Sequence, residues 1–112
     1  MDNANFTASA LEKCKFDDAS LQKVNFSKSD STHVQFTQAN LSHADFTDSS
    51  CYKCVFMQAN LDEASFVGAV MNHSNFYGSN ISQNQLASMK SYDCATLPNG
   101  TVYDKNGEMD CE

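Results

Sequence analysis

From Ala4 to about Ile81 the chain repeats one five-residue phrase: a small or β-branched residue, a polar residue, a large apolar residue, then two mostly polar residues. The bulky centres run Phe6, Leu11, Phe16, Leu21, Phe26 and onward by fives to Phe76 and Ile81, with Ser31 and Cys51 as the small exceptions. Two residues before each centre stands Ala, Ser, Cys or Val, as at Ala4, Cys14, Val24 and Ala39. A helix does not explain this, because five steps at about 3.6 residues per turn rotate a side chain by about 140°. A straight strand fails as well, since its period of two sends successive centres to opposite faces. The centres share one interior only if the backbone bends once in every pentad, and a chain that bends regularly winds into a coil.

Sorting the centres by twenties shows how many pentads make one turn of the coil. Leu21, Leu41, Leu61 and Ile81 form one set. Phe6, Phe26, Phe46 and Phe66 form another, and Phe16, Phe36, Phe56 and Phe76 a third. The irregular fourth set is Leu11, Ser31, Cys51 and Met71. Asn40, Asn60 and Asn80 also recur at this spacing. Four pentads per turn therefore predict four interior columns, two of them stacks of Phe that fill the axis. Ser31 is the weak centre: its hydroxyl must find a backbone partner or cost about 1–3 kcal/mol.

The phrases Ala39-Asn40-Leu41-Ser42-His43, Ala44-Asp45-Phe46-Thr47-Asp48 and Ala59-Asn60-Leu61-Asp62-Glu63 resemble the repeat of the pentapeptide-repeat family. The resemblance covers sixteen consecutive units. It implies an all-β solenoid: a right-handed quadrilateral β-helix of about four coils, roughly 20 Å tall at the usual strand spacing. The run Ala95-Thr96-Leu97-Pro98-Asn99-Gly100-Thr101 is similar to a segment that closes family members, cyanobacterial ones especially.

After Ile81 the beat fades. Ser82-Gln83-Asn84-Gln85 reads as a capping box, and Ile81 with Leu86 as a hydrophobic staple, so a short helix is expected over about Gln83–Lys90 as a lid on the last coil. The division expected is 1–81 for the β-helix and 82–112 for the capping helix and irregular tail of the same domain. Leu97–Thr101 predicts a turn, with Pro98 setting φ and Asn99-Gly100 allowing positive φ. Val102-Tyr103 reads as a short strand turned by Asn106-Gly107. The first coil shows no matching lid.

Charge narrows the partners. Seven lysines, no arginine and a net charge of −7 disfavour direct contact with nucleic acid or an anionic membrane surface. No apolar run reaches the length of a membrane span, and Met1-Asp2-Asn3 does not read as a signal peptide.

The five cysteines divide by position. Cys51 and Cys54 make a Cys-x-x-Cys, which can be a redox pair or half a metal site. Both fall on inward positions of the repeat, so the expectation is that they fill the core. Cys14 shares a column with Cys54 two coils away, about 10 Å, too far to bridge. Cys94 and Cys111 lie beyond the repeat, and a disulfide between them would pin the tail. The compartment then follows the pairing: cytoplasmic if both are reduced, periplasm or thylakoid lumen if bridged.

On the outside, Lys13, His33, Lys53 and His73 are twenty apart and form one column, a basic stripe suited to an acidic partner or simply free surface. Tyr52, Met57, Val67 and Tyr77 are outward positions turned apolar and are the candidate contact patch. No catalytic constellation or cofactor motif stands out, and a convex tower has no cleft to exclude water. The expectation is a non-catalytic structural or protein-binding domain without cofactor. Its partner is another protein, or a second copy meeting the uncapped N-terminal coil. The alternative, implied by the family resemblance, is a DNA-mimic inhibitor of an enzyme such as gyrase. Against it, Glu12, Asp17, Asp18, Asp30, Asp45, Asp48, Asp62 and Glu63 form no continuous column.

Overall fold

A computed structural model describes residues 2–103. Its backbone is a solenoid in which each segment pairs in parallel with the segment twenty residues away. Strand β1 (Ala10–Glu12) pairs with β2 (Asp30–Thr32), and β2 with β3 (Ser50–Tyr52), in the registers Leu11↔Ser31 and Ser31↔Cys51. Single-residue bridges repeat the offset on the other faces, as in Asn25↔Asp45, Gln35↔Val55 and Asn40↔Asn60. Asn25 N–H donates back to Ala4 O at 2.9 Å, while Phe26 N–H donates forward to Asp45 O at 2.7 Å. Each unit thus spends its backbone groups on the coils above and below it.

The bend lies two residues after every centre. From Asn3 through Lys23, His43 and Glu63 to Gly78, every fifth residue has φ between 56° and 72°. All but Gly68 and Gly78 in this series carry side chains. In most units the next small residue closes the turn by donating to the centre's carbonyl, as Ala39 N–H does to Phe36 O at 3.0 Å. Among the described residues, the corners after Leu11, Ser31 and Cys51 lack this bond, and their face is the one that forms three-residue strands. The irregular column of centres and the open corners are thus the same side of the tower.

The polar residue before the centre also has a structural task. Asn5, Asn25, Asn40, Asp45, Asn60 and Asn75 each accept, through Oδ1, the N–H two residues on at 2.8–3.1 Å. A side chain that folds back in this way pins the start of the turn. The same amides bond along the tower, with Asn80 Nδ2 donating to Asn60 Oδ1 at 2.9 Å.

A left-handed residue with a Cβ costs about 1–2 kcal/mol, and glycine gives back about 0.5–1 kcal/mol of that through its freer unfolded chain. Lys23→Gly at φ 59° is therefore expected to stabilise by a few tenths to about 1 kcal/mol in urea denaturation. Gly68→Ala should do the reverse, because a Cβ there would run into Asp48 Oδ1 as well as adopt φ 71°.

Inside, the two Phe columns are continuous. Phe6, Phe26, Phe46 and Phe66 stack at 5.1 Å between ring centroids with planes within 10° of parallel. Phe16, Phe36, Phe56 and Phe76 stack at 5.0–5.4 Å. Rings of the two columns meet edge to face, as Phe26 does Phe36 at 5.6 Å and 80°. Leu21, Leu41 and Leu61 are fully buried in the third column. Ser31 and Cys51 are buried in the fourth, at 2% and 1% exposure. Phe6, Leu11 and Phe16 of the first coil are only partly buried.

Ser29 Oγ is buried without a hydrogen-bond partner, whereas Ser49, twenty residues on, donates to Phe46 O at 2.8 Å. An unsatisfied buried hydroxyl costs about 1–3 kcal/mol, so Ser29→Ala should raise the urea midpoint while Ser49→Ala should not.

At the far end lies helix α1 (Gln83–Ser88), two residues shorter than the sequence suggested. Its capping box is complete: Ser82 Oγ accepts from Gln85 N–H at 3.1 Å and Gln85 Oε1 accepts from Ser82 N–H at 2.7 Å. Gln85 Nε2 also donates to Leu61 O and Ala64 O at 2.7 and 2.9 Å, fastening the helix to the coil above. Ile81 and Leu86 both join the core. The chain then re-enters the solenoid. Val70 pairs with Ser91 and Asn75 with Thr96, an offset of twenty-one that absorbs the helix. Cys94 takes the left-handed corner at φ 60° and Ala95 is fully buried. Leu97 N–H donates to Thr101 O at 2.7 Å across the expected turn, where Gly100 has φ 90°, and Thr96 bridges Val102 antiparallel. The expected turn at Asn106-Gly107 lies outside the described residues.

Candidate functional site

Because corners recur every five residues and coils every twenty, outward side chains stand in straight columns. One edge carries Lys13, His33, Lys53 and His73, each at a left-handed corner. Tyr52 stands immediately beside it. Lys53 Nζ lies 5.5 Å from the centre of the Tyr52 ring, and the His73 ring meets the same ring edge-on at 5.3 Å. The first contact holds the Lys53 ammonium in place without neutralising it.

The next edge carries Met57 and Tyr77, and the wall between the two edges carries Val55. Tyr52 and Tyr77 are 44% and 46% exposed, and Met57 and Val55 are half-buried. Tyr77 also borders the terminal turn: a Cβ on Gly100 would lie 3.5 Å from its ring. Val67, 56% exposed, belongs to the column of Thr7, Ser27 and Thr47 and lies at the opposite corner of the coil from Met57 and Tyr77. Three of the four apolar candidates therefore flank one wall and the fourth does not join them. Val55 was missed in the sequence. Its signal was an apolar residue at the position before the centre, where most units carry a polar one.

The cysteines separate cleanly. Cys51 and Cys54 are free thiols, each at most 1% exposed. The hydrogen bond with Cys54 and then burial push the Cys51 thiol well above its ordinary pKa. A thiol held protonated in the core is a poor nucleophile and a poor ligand. Cys14 is also free. Cys94 is disulfide-bonded, and Cys111 lies outside the described residues. Beside the corner at Cys94, Tyr92 and Tyr103 pack with centroids 4.3 Å apart, and burial raises the Tyr92 pKa.

Among the described residues, no group of three or more His, Cys, Asp or Glu side chains is placed to hold a metal ion, and no helix is long and apolar enough to cross a membrane. An open hollow of about 220 Å³ lies between the helix and the terminal hairpin, lined by Ile81, Leu86, Leu97 and Pro98. On another edge, His43 Nδ1 and Glu63 Oε2 form an exposed pair at 3.3 Å. Exposed pairs of this kind add little to stability.

Parallel pairing of successive coils, buried columns along the axis and outward columns on the edges define a β-solenoid built from five-residue units. Pentapeptide repeats, in eight copies, match residues 1–30 and 54–83, and the chain belongs to that family. No curated protein matches it in sequence. Among solved structures it is similar to HetL, a pentapeptide repeat protein involved in heterocyst differentiation regulation from the cyanobacterium Nostoc sp. strain PCC 7120. The identity is 15%, covering 91% of this chain and 62% of HetL, with a TM-score of 0.46. It is similar to QnrB1, a plasmid-mediated fluoroquinolone resistance protein, at 14% identity over 84% of this chain and 56% of that one, TM-score 0.46. A pentapeptide repeat protein from the Arabidopsis thaliana thylakoid lumen is similar at 18% identity over 90% of this chain and 73% of that one, TM-score 0.35. The chain spans about three fifths of the length of HetL and somewhat over half that of QnrB1.

Proposed function

We propose that this chain is a right-handed quadrilateral β-helix of about four coils, closed at its C-terminal end by α1, that works as a non-catalytic scaffold for binding another protein. The observation that carries this reading is the division of labour between backbone and side chain. Backbone groups are spent along the axis, so the edges are free to present side chains in fixed columns. The wall flanked by Tyr52, Met57 and Tyr77 is the contact surface, because it joins exposed aromatic area to a rigid frame. The test is capture of a partner by immobilised protein. Tyr52→Ser/Met57→Ser/Tyr77→Ser should lose the captured protein, and Val67→Ser should keep it. Equal capture by all variants would remove this wall.

The partly buried first coil, with Phe6, Leu11 and Phe16, is a second place where a partner or another copy can pack. The DNA-mimic alternative draws support from the net charge of −7. Its weakness is geometric: Asp48, Asp17 with Asp18, and Asp62 with Glu63 fall on three different edges. A supercoiling assay unmoved by excess protein would exclude gyrase.

With Cys14, Cys51 and Cys54 free, we take Cys111 as the disulfide partner of Cys94. Alkylation followed by mass spectrometry should label Cys14, Cys51 and Cys54 on unfolding without reductant, and all five cysteines with it. That pairing favours an oxidising compartment such as the periplasm or thylakoid lumen.

A further inference from the structure

Charge is distributed unevenly around the tower. The edge of Lys13, His33, Lys53 and His73, with Lys15 on the adjoining wall, holds three of the six described lysines and two of the three histidines. Glu12 and Asp93 stand at its two ends, and Asp30 lies on the wall to its other side. The other described surfaces carry seven carboxylates against three lysines. A protein of net charge −7 therefore keeps one side on which lysines and carboxylates balance, with His33, Lys53 and His73 along the middle of the edge.

That edge is also ordered. Lys13 N–H donates to Thr32 O, His33 N–H to Tyr52 O and Lys53 N–H to Asn72 O, at 2.9, 3.0 and 3.2 Å. The corners are thus locked one above another at the strand spacing of about 4.8 Å. Tyr52 then steadies Lys53 on its face and His73 at its rim. A lysine already held in place loses less freedom when a ligand binds.

We propose that this edge docks an acidic, extended peptide segment of a partner protein, lying along the tower axis, with Tyr52 as its apolar contact. The proposal rests on the protein-binding reading above and names the chemistry of the partner. Four corners at this spacing span about 14 Å, the length of about four or five residues of extended chain. Alternate side chains of such a chain face one way, and the long lysines take up the difference in pitch. A nucleic acid suits the edge less well, because a polyanion larger than one edge meets the carboxylates on the neighbouring surfaces.

The test is fluorescence anisotropy with a labelled (Glu-Ser)4 peptide, a (Lys-Ser)4 control and an oligothymidine, at low and at physiological salt. The acidic peptide should bind and the basic one should not, and salt should weaken the binding. Lys13→Glu/Lys53→Glu should lose about tenfold or more in affinity, and the milder Lys53→Gln should lose less. Lys23→Glu/Lys28→Glu changes net charge by the same amount on other edges and should lose less than about twofold. Far-UV circular dichroism establishes that each variant is folded. Equal losses in both double variants would overturn the proposal, since only overall charge would then matter. Oligothymidine binding as tightly as the acidic peptide would overturn it in favour of nucleic acid. If Lys13→Glu/Lys53→Glu instead changes the sedimentation of the protein alone, the edge joins copies of this chain and the peptide proposal falls. Failure to bind the peptide, with partner capture intact in the wall experiment, removes this edge and leaves the broader reading standing.

Discussion

Phe46→Ala is expected to cost about 3–5 kcal/mol, measured as the loss of unfolding free energy in urea. Phe46 is 1% exposed and sits at the middle of its column. It stacks on Phe26 and Phe66 at 5.1 Å and meets Phe56 edge-on at 5.8 Å, so truncation leaves rings unsupported on three sides. The coils are fixed by backbone bonds and cannot close in to fill the gap, which puts the cost toward the upper end for such a change. A domain this size has roughly 5–15 kcal/mol in total, so the variant should be close to unfolding at ambient temperature. Phe6→Ala removes the same atoms from the partly buried first coil and should cost less than half as much. Equal losses at the two positions would mean that the column does not act as a stack.

Gln85→Leu should cost about 2–4 kcal/mol, although it keeps nearly the same volume. One side chain does three jobs. It completes the capping box with Ser82, and its amide nitrogen satisfies both Leu61 O and Ala64 O. Leucine leaves Ala64 O under an apolar group, at about 1–3 kcal/mol where water does not reach it, while Leu61 O keeps the Ala64 N–H. Gln85→Glu keeps the acceptor for the Ser82 N–H but turns a carboxylate oxygen toward the Leu61 and Ala64 carbonyls, so it should recover little of the loss. The readout is urea unfolding followed by circular dichroism. A helix lost with the tower intact would show that α1 is an appendage.

Much of this architecture was legible in the chain. The Phe columns followed from spacing alone, because large side chains at a fixed interval can share an axis only one way once helix and strand are excluded. Ser82 and Gln85 announced the start of α1 through local chemistry, and α1 does start where they place it. The left-handed corners were not legible. Lys23, Gln38 and Glu63 have no taste for positive φ, and the conformation is imposed by neighbours twenty residues away. The return of the chain after α1 was hidden for a related reason. Ala95-Thr96-Leu97 is a good repeat phrase, but the helix moves it one residue out of step and the periodic search loses it. On the outside, Tyr52, Met57, Val67 and Tyr77 could be recognised as outward, yet which of them meet depends on the corner each occupies. The sequence showed Cys51 and Cys54 as inward positions, and their burial as free thiols follows from that.

The one-directional bonding of the coils has a mechanical consequence. Tension applied between the two ends would load one rung at a time and peel the molecule like thread from a bobbin. Each released winding of twenty residues would give up about 70 Å of contour length. Force across the side would instead strain many rungs together, so the same protein should be soft when unwound lengthwise and stiff when squeezed.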